Sequence, residues 1–196
     1  MTNMAVMILA AGGATRFGSC KSLEMINGKP MLQHSIDHAR EICPDSVYVV
    51  SGSWHAAFCK ALENDIISNV SLIENRDWSM GIGRSISVGV AHLGSKYDAI
   101  LILLADQVAV ATGDLKRLVK CFDGKDIACS FYGNKRGVPA LFGSRTFYSL
   151  IQLSGEKGGK NLLYHKSYRV EELSMESASI DIDTPLELKL WLEGRL

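Results

Sequence analysis

Net charge is the first thing this sequence lacks: lysine plus arginine and aspartate plus glutamate number 21 each. No global field then draws the chain to nucleic acid or to an anionic membrane, so any phosphate binding must be local. Paired cysteines are lacking too. Cys20, Cys43, Cys59, Cys121 and Cys129 are scattered, odd in number and form no C-x-x-C, which argues against both a disulfide framework and a zinc knuckle. Reduced thiols in a cytoplasmic protein fit best. The apolar run in MTNMAVMILAAGG has no basic leader and is too short to span a bilayer, so it reads as a strand. Repeats, low-complexity tracts and linker-like stretches are absent as well. What is present is 196 residues at 47% hydrophobic content, enough for one domain over residues 1–196 with a sizeable core.

Met4 to Leu9, Val47 to Val50, Ile100 to Leu104 and Ile127 to Phe131 are short apolar runs bounded by glycine, serine or charge. They show no polar alternation, the pattern of strands buried on both faces. Between them, Pro30 to Ile42, Trp54 to Ile67, Ser85 to Leu93, Asp114 to Phe122 and Pro185 to Leu192 are amphipathic and predict helices. Pro30 suits a helix start, and Thr112 is a possible cap for the fourth helix. Strands alternating with helices predict an α/β fold with a parallel, doubly wound sheet, whose ligands bind beyond the carboxyl ends of the strands.

The first strand runs into Leu9-Ala-Ala-Gly-Gly-Ala-Thr-Arg-Phe-Gly-Ser-Cys-Lys21. Small residues let backbone N–H groups close on anionic oxygens, and Arg16 and Lys21 add cations, a combination suited to a triphosphate. The same turn also ends strands in α/β proteins of every function, with basic residues that are merely solvated. It is neither a Walker loop nor G-x-G-x-x-G. Ile100-Leu-Ile-Leu-Leu-Ala-Asp106 is an apolar strand stopped by a carboxylate, well placed to hold Mg²⁺, which prefers hard oxygen ligands. A strand terminator or a cap is the alternative.

In Ile180-Asp-Ile-Asp-Thr-Pro185, an extended backbone turns Asp181 and Asp183 the same way, so both can face one cation. Thr184-Pro185 with Glu187 is also a plain helix start. Met80-Gly-Ile-Gly-Arg-Ser85 leads into a helical pattern, where Gly83, Arg84 and Ser85 can grip a phosphate or a base edge. Alternatively, Gly89 serves close helix packing.

Together these segments resemble the MobA-like nucleotidyltransferase superfamily, and within it the molybdenum cofactor cytidylyltransferases. Leu9-Ala-Ala-Gly-x-x-x-Arg16-x-Gly18-x-x-Lys21 is similar to the signature loop, and Asn27-Gly-Lys-Pro-Met-Leu32 to the segment after it. Gly81-x-Gly83-x-Ser85-Ile86-x-x-Gly89, Ala105-Asp-Gln-Val108, Arg136-Gly-Val-Pro-Ala-Leu-Phe142, Gly155-Glu-Lys-Gly-Gly-Lys160 and Asp181-Ile-Asp-Thr-Pro185 follow in family order. Departures are Ala14 for serine, Ala105 and Val108 for glycine and proline beside Asp106, Val138 for histidine, and Glu156, Gly159 and Lys160 for Asp, Ala and Arg.

The resemblance implies a three-layer α/β/α, Rossmann-like nucleotidyltransferase fold with a mostly parallel mixed sheet. It implies transfer of a nucleoside monophosphate to the phosphate of a molybdopterin-type cofactor, with release of pyrophosphate and dependence on Mg²⁺. Leu9, Ala10, Ala11, Gly12, Gly13, Arg16, Lys21, Gly81, Gly83 and Ser85 would bind the nucleotide. Arg16, Lys21 and Asp106 would be catalytic, Asp106, Asp181 and Asp183 metal ligands, and Arg136, Lys157 and Lys160 acceptor-binding. Ala11 stands where guanylyl-transferring relatives have glycine, which favours CTP over GTP. A molybdoenzyme of the xanthine dehydrogenase type is a partner the resemblance allows, whereas nucleic acid and membrane are not expected partners. The rivals are a non-catalytic cofactor carrier, a sugar- or polyol-phosphate nucleotidyltransferase, and a dinucleotide-dependent oxidoreductase, for which the loop is wrong.

Overall fold

A computed structural model describes residues 2–123 and 125–196 of the chain. Strand β1 (Met4–Ala10) lies in mid-sheet with residues 5–9 buried. It pairs in parallel with β4 (Val47–Ser51) on one side and β6 (Ala99–Leu104) on the other. Beyond β4 comes β5 (Ser71–Glu74), also parallel. Beyond β6 come β8 (Lys135–Gly143), antiparallel to both its neighbours, then β7 (Ile127–Tyr132) and β9 (Val170–Ser174). The order is β5-β4-β1-β6-β8-β7-β9, a mostly parallel mixed sheet.

The unbroken apolar sequence of β1 follows from cover on both faces. Val6 and Ile8 join Leu32 and Ile36 of α1 (Met31–Arg40), Phe58 of α2 (His55–Glu63) and Leu115 and Leu118 of α4 (Thr112–Cys121). Ala5, Met7 and Leu9 join Ile86 and Val90 of α3 (Ile82–Leu93), Phe147 and Leu150 of α5 (Phe147–Ile151) and Leu162 of α6 (Lys160–Leu163). Alternate residues of one strand thus feed two cores, and the fold is three layers, α/β/α. Among the described residues no helix is long and apolar enough to cross a membrane. The five cysteines are free, and burial pushes the Cys129 thiol up to about 12 and that of Cys43 to about 11.

The four strands expected from the sequence are present, each within a residue of its expected bounds. Helix α7 (Pro185–Leu192) is found as expected, with Thr184 Oγ1 accepting from the Glu187 N–H at 3.2 Å and the Glu187 carboxylate accepting from the Thr184 N–H at 2.8 Å. Other helix ends moved. Helix α2 stops at Glu63, short of Ile67, because Asp65 turns left-handed at φ 55°. Helix α3 starts three residues before Ser85, at Ile82, since Gly81 at φ 92° makes the entry. Thr112 lies inside α4 rather than capping it; Ala111 holds the cap position, and its N–H donates to the Asp114 carboxylate at 3.1 Å. Strands β5, β8 and β9 and the small hairpin of β2 (Met25–Ile26) and β3 (Lys29–Pro30) were not foreseen.

Candidate active site

From β1 the chain moves to β4 and β5, then returns across β1 to β6. The carboxyl ends of β1 and β6 therefore flank a switch point, where an α/β sheet opens a crevice. Leu9 pairs with Leu104, and the Ala105 N–H donates to the Leu9 carbonyl at 3.3 Å. This register sets the loop after Ala10 beside Asp106. A cleft of about 530 Å³ opens there, lined by residues 9–16, Lys21, Gly81, Ile82, Ser85, Asp106 and Asp183.

Within the loop, Ala14 is left-handed at φ 48° and Gly18 at φ 79°. The Ala14 carbonyl accepts from the N–H groups of Phe17 at 2.9 Å and Gly18 at 3.0 Å, which turns the chain back towards Lys21. A non-glycine residue held left-handed is strain of a kind that concentrates at functional loops. A Cβ built on Gly12 would meet nothing within 4 Å, so open space, not packing, adjoins that residue.

Four charges meet at one end of the cleft. Lys21 Nζ lies 2.7 Å from Asp106 Oδ2 and 3.0 Å from Asp183 Oδ1, and an Arg16 guanidinium nitrogen lies 2.7 Å from Asp183 Oδ2. Burial alone would lower the Lys21 pKa, but Asp106 and Asp183 outweigh it and leave it raised. Burial would raise that of Asp183, and the bonds from Lys21 and Arg16 leave it lowered. Asp181 has no such partner: burial, then the negative charges of Asp106 and Asp183, push it up to about 6. Between them Ile182 is buried, and its N–H donates to the Asp106 carbonyl at 3.1 Å. That bond brings the 181–183 segment to the metal-candidate carboxylate, and the alternation read from sequence holds in a segment that belongs to no strand.

Asp106 Oδ1 is buried without a hydrogen-bond partner. An unsatisfied carboxylate oxygen beside a triphosphate-sized cleft fits a hard divalent cation. Among the described residues no group of three or more His, Cys, Asp or Glu side chains is gathered at metal-holding distance. Mg²⁺ does not require one, because it keeps waters and binds through one or two carboxylates together with substrate phosphates.

The entry to α3 is occupied by protein. The Gly83 N–H donates to the Gly155 carbonyl at 2.9 Å, and the Gly155 N–H donates to the Met80 carbonyl at 2.9 Å. A Cβ at Gly81 would fall 2.6 Å from the Gly155 backbone, and one at Gly83 would fall 2.8 Å from Ser154. The glycines are thus required by the close approach of 154–155. Arg84 pairs with Asp77 at 2.9 Å, and buried Ser85 accepts from Asn75 at 3.0 Å. Gly89 serves packing, since a Cβ there would collide with Met7 Sδ and Val50 Cγ2.

Lys157 and Lys160 line a second, more open cavity of about 860 Å³ with Asn161, Tyr164, His165 and Lys166, and Glu156 borders both cavities. Arg136 is committed elsewhere. It pairs with Glu172 at 2.6 Å, donates to the Leu163 carbonyl and stacks on the Tyr164 ring at 5.1 Å. Sequence reasoning missed Trp54, Trp78 and Glu156, all of which line the main cleft. Trp54 lies in the turn just after β4, so the strand-end rule itself was the signal that could have found it.

The MobA-like NTP transferase domain matches residues 6–171. The bifunctional protein GlmU of Idiomarina loihiensis is 26% identical over 192 residues, 96% of this chain and 39% of that protein. GlmU of Pseudomonas aeruginosa is 33% identical over 119 residues, 60% of this chain and 25% of its own length. The chain spans about two fifths or less of these curated relatives. Among solved structures, Rv0371c of Mycobacterium tuberculosis H37Rv is similar with a TM-score of 0.81 at 26% identity, over 98% of this chain and 99% of that one. A complex of Rv0371c with manganese matches with a TM-score of 0.77 at the same identity and coverage. The matched domain runs from β1 through the glycine-rich loop and Asp106 to β9, and the chain belongs to the MobA-like NTP transferase family, one of nucleotidyltransferases.

Proposed function

We propose that the protein moves a nucleoside monophosphate, CMP from CTP in preference to GMP from GTP, onto the phosphate of a small acceptor. The observation that carries this reading is the pairing of Asp106, with its unpartnered oxygen, and Lys21 across from the glycine-rich loop. An acceptor phosphate oxygen bonds to the α-phosphorus as the bond from that phosphorus to the β-phosphate's bridging oxygen breaks, and pyrophosphate leaves. The nucleophile is already anionic, so the protein works by positioning and charge neutralisation rather than by general-base catalysis.

Asp106, with Asp181 or Asp183, would hold a divalent cation, Mg²⁺ in this proposal; such an ion neutralises charge on the phosphates. The manganese complex of a similar protein supports a divalent site. Lys21 and Arg16 exchange their carboxylate partners for phosphate oxygens when the nucleotide enters. Their positive charge then stabilises the transition state and the departing pyrophosphate. Lys157 and Lys160, in the adjoining cavity, grip the acceptor phosphate, and Arg136, already paired, shapes the Tyr164 wall.

Two acceptor classes suit this site. A sugar or polyol phosphate is the better supported, because the second cavity is walled by lysines, Asn161 and His165, which suit phosphate and hydroxyl groups, with Tyr164 as its aromatic ring. A molybdopterin-type phosphate is the second reading, carried by the Leu9-Ala-Ala-Gly loop; a molybdoenzyme of the xanthine dehydrogenase type goes with it. A cytoplasmic location is proposed with either. Pyrophosphate release with CTP, UTP, GTP and ATP, each with and without sugar phosphates, polyol phosphates and molybdopterin, tests the proposal. Release with CTP that requires one acceptor phosphate is expected. Tight nucleotide binding with no release under any pairing would replace the enzyme with a carrier.

A further inference from the structure

Trp78 and Trp54 stand at the end of the cleft away from Asp106, and the strand order explains why. Trp54 follows β4 and Trp78 follows β5, so the sheet edge reads Trp78, Trp54, glycine-rich loop, Asp106 along β5-β4-β1-β6. Strands lie about 4.8 Å apart. Trp78 packs back on Gly52, the residue just after β4, so two spacings separate the β6 end from the root of that indole, about 10 Å, the reach of a nucleotide from its α-phosphorus to its base.

The two indoles are held differently. Trp54 Nε1 donates to the Gly13 carbonyl at 3.2 Å, and the Ser53 N–H donates to the Ala11 carbonyl at 3.2 Å, so Trp54 and its neighbour fix the loop. Among the described residues Trp78 has no such partner for its ring nitrogen. Its six-membered ring edges Gly13, where a Cβ would lie 3.4 Å from Cζ3, and its Cβ packs so close to Gly52 that a methyl there would fall 2.5 Å away. The backbone root is therefore clamped while the residue stays 37% exposed on the cleft. A large, apolar, flat surface left uncovered at a polar cleft is a stacking wall awaiting a flat ring.

We infer that Trp78 is the stacking wall for the donor nucleobase and that Trp54 is a positioning residue that fixes the loop opposite it. The inference rests on the nucleotidyltransferase reading above and names its base subsite. Every base has a π-face, so stacking here tightens nucleotide binding without choosing among bases. Selection is left to the loop backbone and Ala11.

Binding of CTP and of inorganic tripolyphosphate to the wild type, Trp78→Leu and Trp78→Phe tests it, since both variants keep the Cβ that packs on Gly52. Loss of stacking in Trp78→Leu is expected to weaken CTP about tenfold, to leave tripolyphosphate within about twofold, and to raise KM for CTP with kcat little changed. Trp78→Phe is expected to recover most of the loss, and CTP but not tripolyphosphate is expected to quench wild-type tryptophan fluorescence. Equal weakening of both ligands would make Trp78 a loop-shaping residue and overturn the inference, as would no change in either. The two readings fail separately. A kcat/KM for CTP that ignores Trp78→Leu sinks the wall alone, whereas CTP binding that depends on Trp78 with no turnover sinks the transferase alone.

Discussion

Asp106 has one oxygen bound to Lys21 and one that is buried without a partner. Its carboxylate stands at a strand end, outside the two apolar cores, so Asp106→Ala is expected to keep the fold and to lose at least about a hundredfold in kcat with Mg²⁺. Near-normal turnover would remove Asp106 from the chemistry. Lys21→Ala is expected to lower kcat more than it weakens CTP binding, because in the proposed reaction the ammonium acts on charge that develops in the transition state; a change confined to KM would mean ground-state binding only. Asp181, raised to about 6, behaves as a penalty that grows with pH. Below about pH 3 the group is protonated in both folded and unfolded chains. Between about 4 and 6 the unfolded chain releases the proton while the folded chain still holds it, so native stability falls across that window and stays reduced above it. Asp181→Asn is therefore expected to raise Tm at pH 8 and to leave it unchanged near pH 3, and a gain that is equal at both would contradict the electrostatic cause. Ala11 is buried in the cleft wall; Ala11→Gly is expected to narrow a CTP preference over GTP without reversing it, by about tenfold to a hundredfold.

Among the elements, α3 and the 154–159 segment form one unit through Gly81 and Gly83. Gly83→Ala gains about 1 kcal/mol of helix propensity. Against that stand a collision with the Ser154 backbone at 2.8 Å and the bond from Gly83 to Gly155, which together cost about 2–4 kcal/mol. A net loss of about 1–3 kcal/mol is expected in denaturant unfolding, with faster amide exchange in residues 154–159; unchanged exchange there would separate the two segments. These glycines were visible in the sequence as a motif, but their reason was not. The partner that demands them lies about seventy residues downstream, beyond the reach of local pattern. Strands β1, β4, β6 and β7 were legible because burial on both faces makes them continuously apolar. Edge strands hide: β5 has one buried residue, Ile73, and β9 none. Strand β8 carries Gly137 and Pro139 inside it, residues that read as breakers. For the site, Asp106, Lys21 and the loop were legible from strand ends, whereas the pairing of Lys21 with Asp183 spans 162 positions and required the fold.

At the scale of the molecule, the strand order lays the site out in sequence along the carboxyl edge of the sheet. Indoles stand beyond β5 and β4, the loop beyond β1, the carboxylates beyond β6, and the second cavity beside Glu156. A ligand spanning that edge ties both halves of the sheet together, and nucleotide with Mg²⁺ at about a hundred times its Kd is expected to stabilise the chain by about 2.7 kcal/mol, read as a rise in Tm that Asp106→Ala reduces. In the proposed reaction the α-phosphorus, and not the γ, moves to the acceptor. The direct measurement supplies CTP labelled at either the α- or the γ-phosphorus, with Mg²⁺ and an acceptor phosphate, and follows where the label goes. The α-label is expected in the acceptor product and the γ-label in pyrophosphate; a γ-label in the acceptor, or no transfer from any NTP to any acceptor phosphate tried, would contradict nucleotidyl transfer by this site.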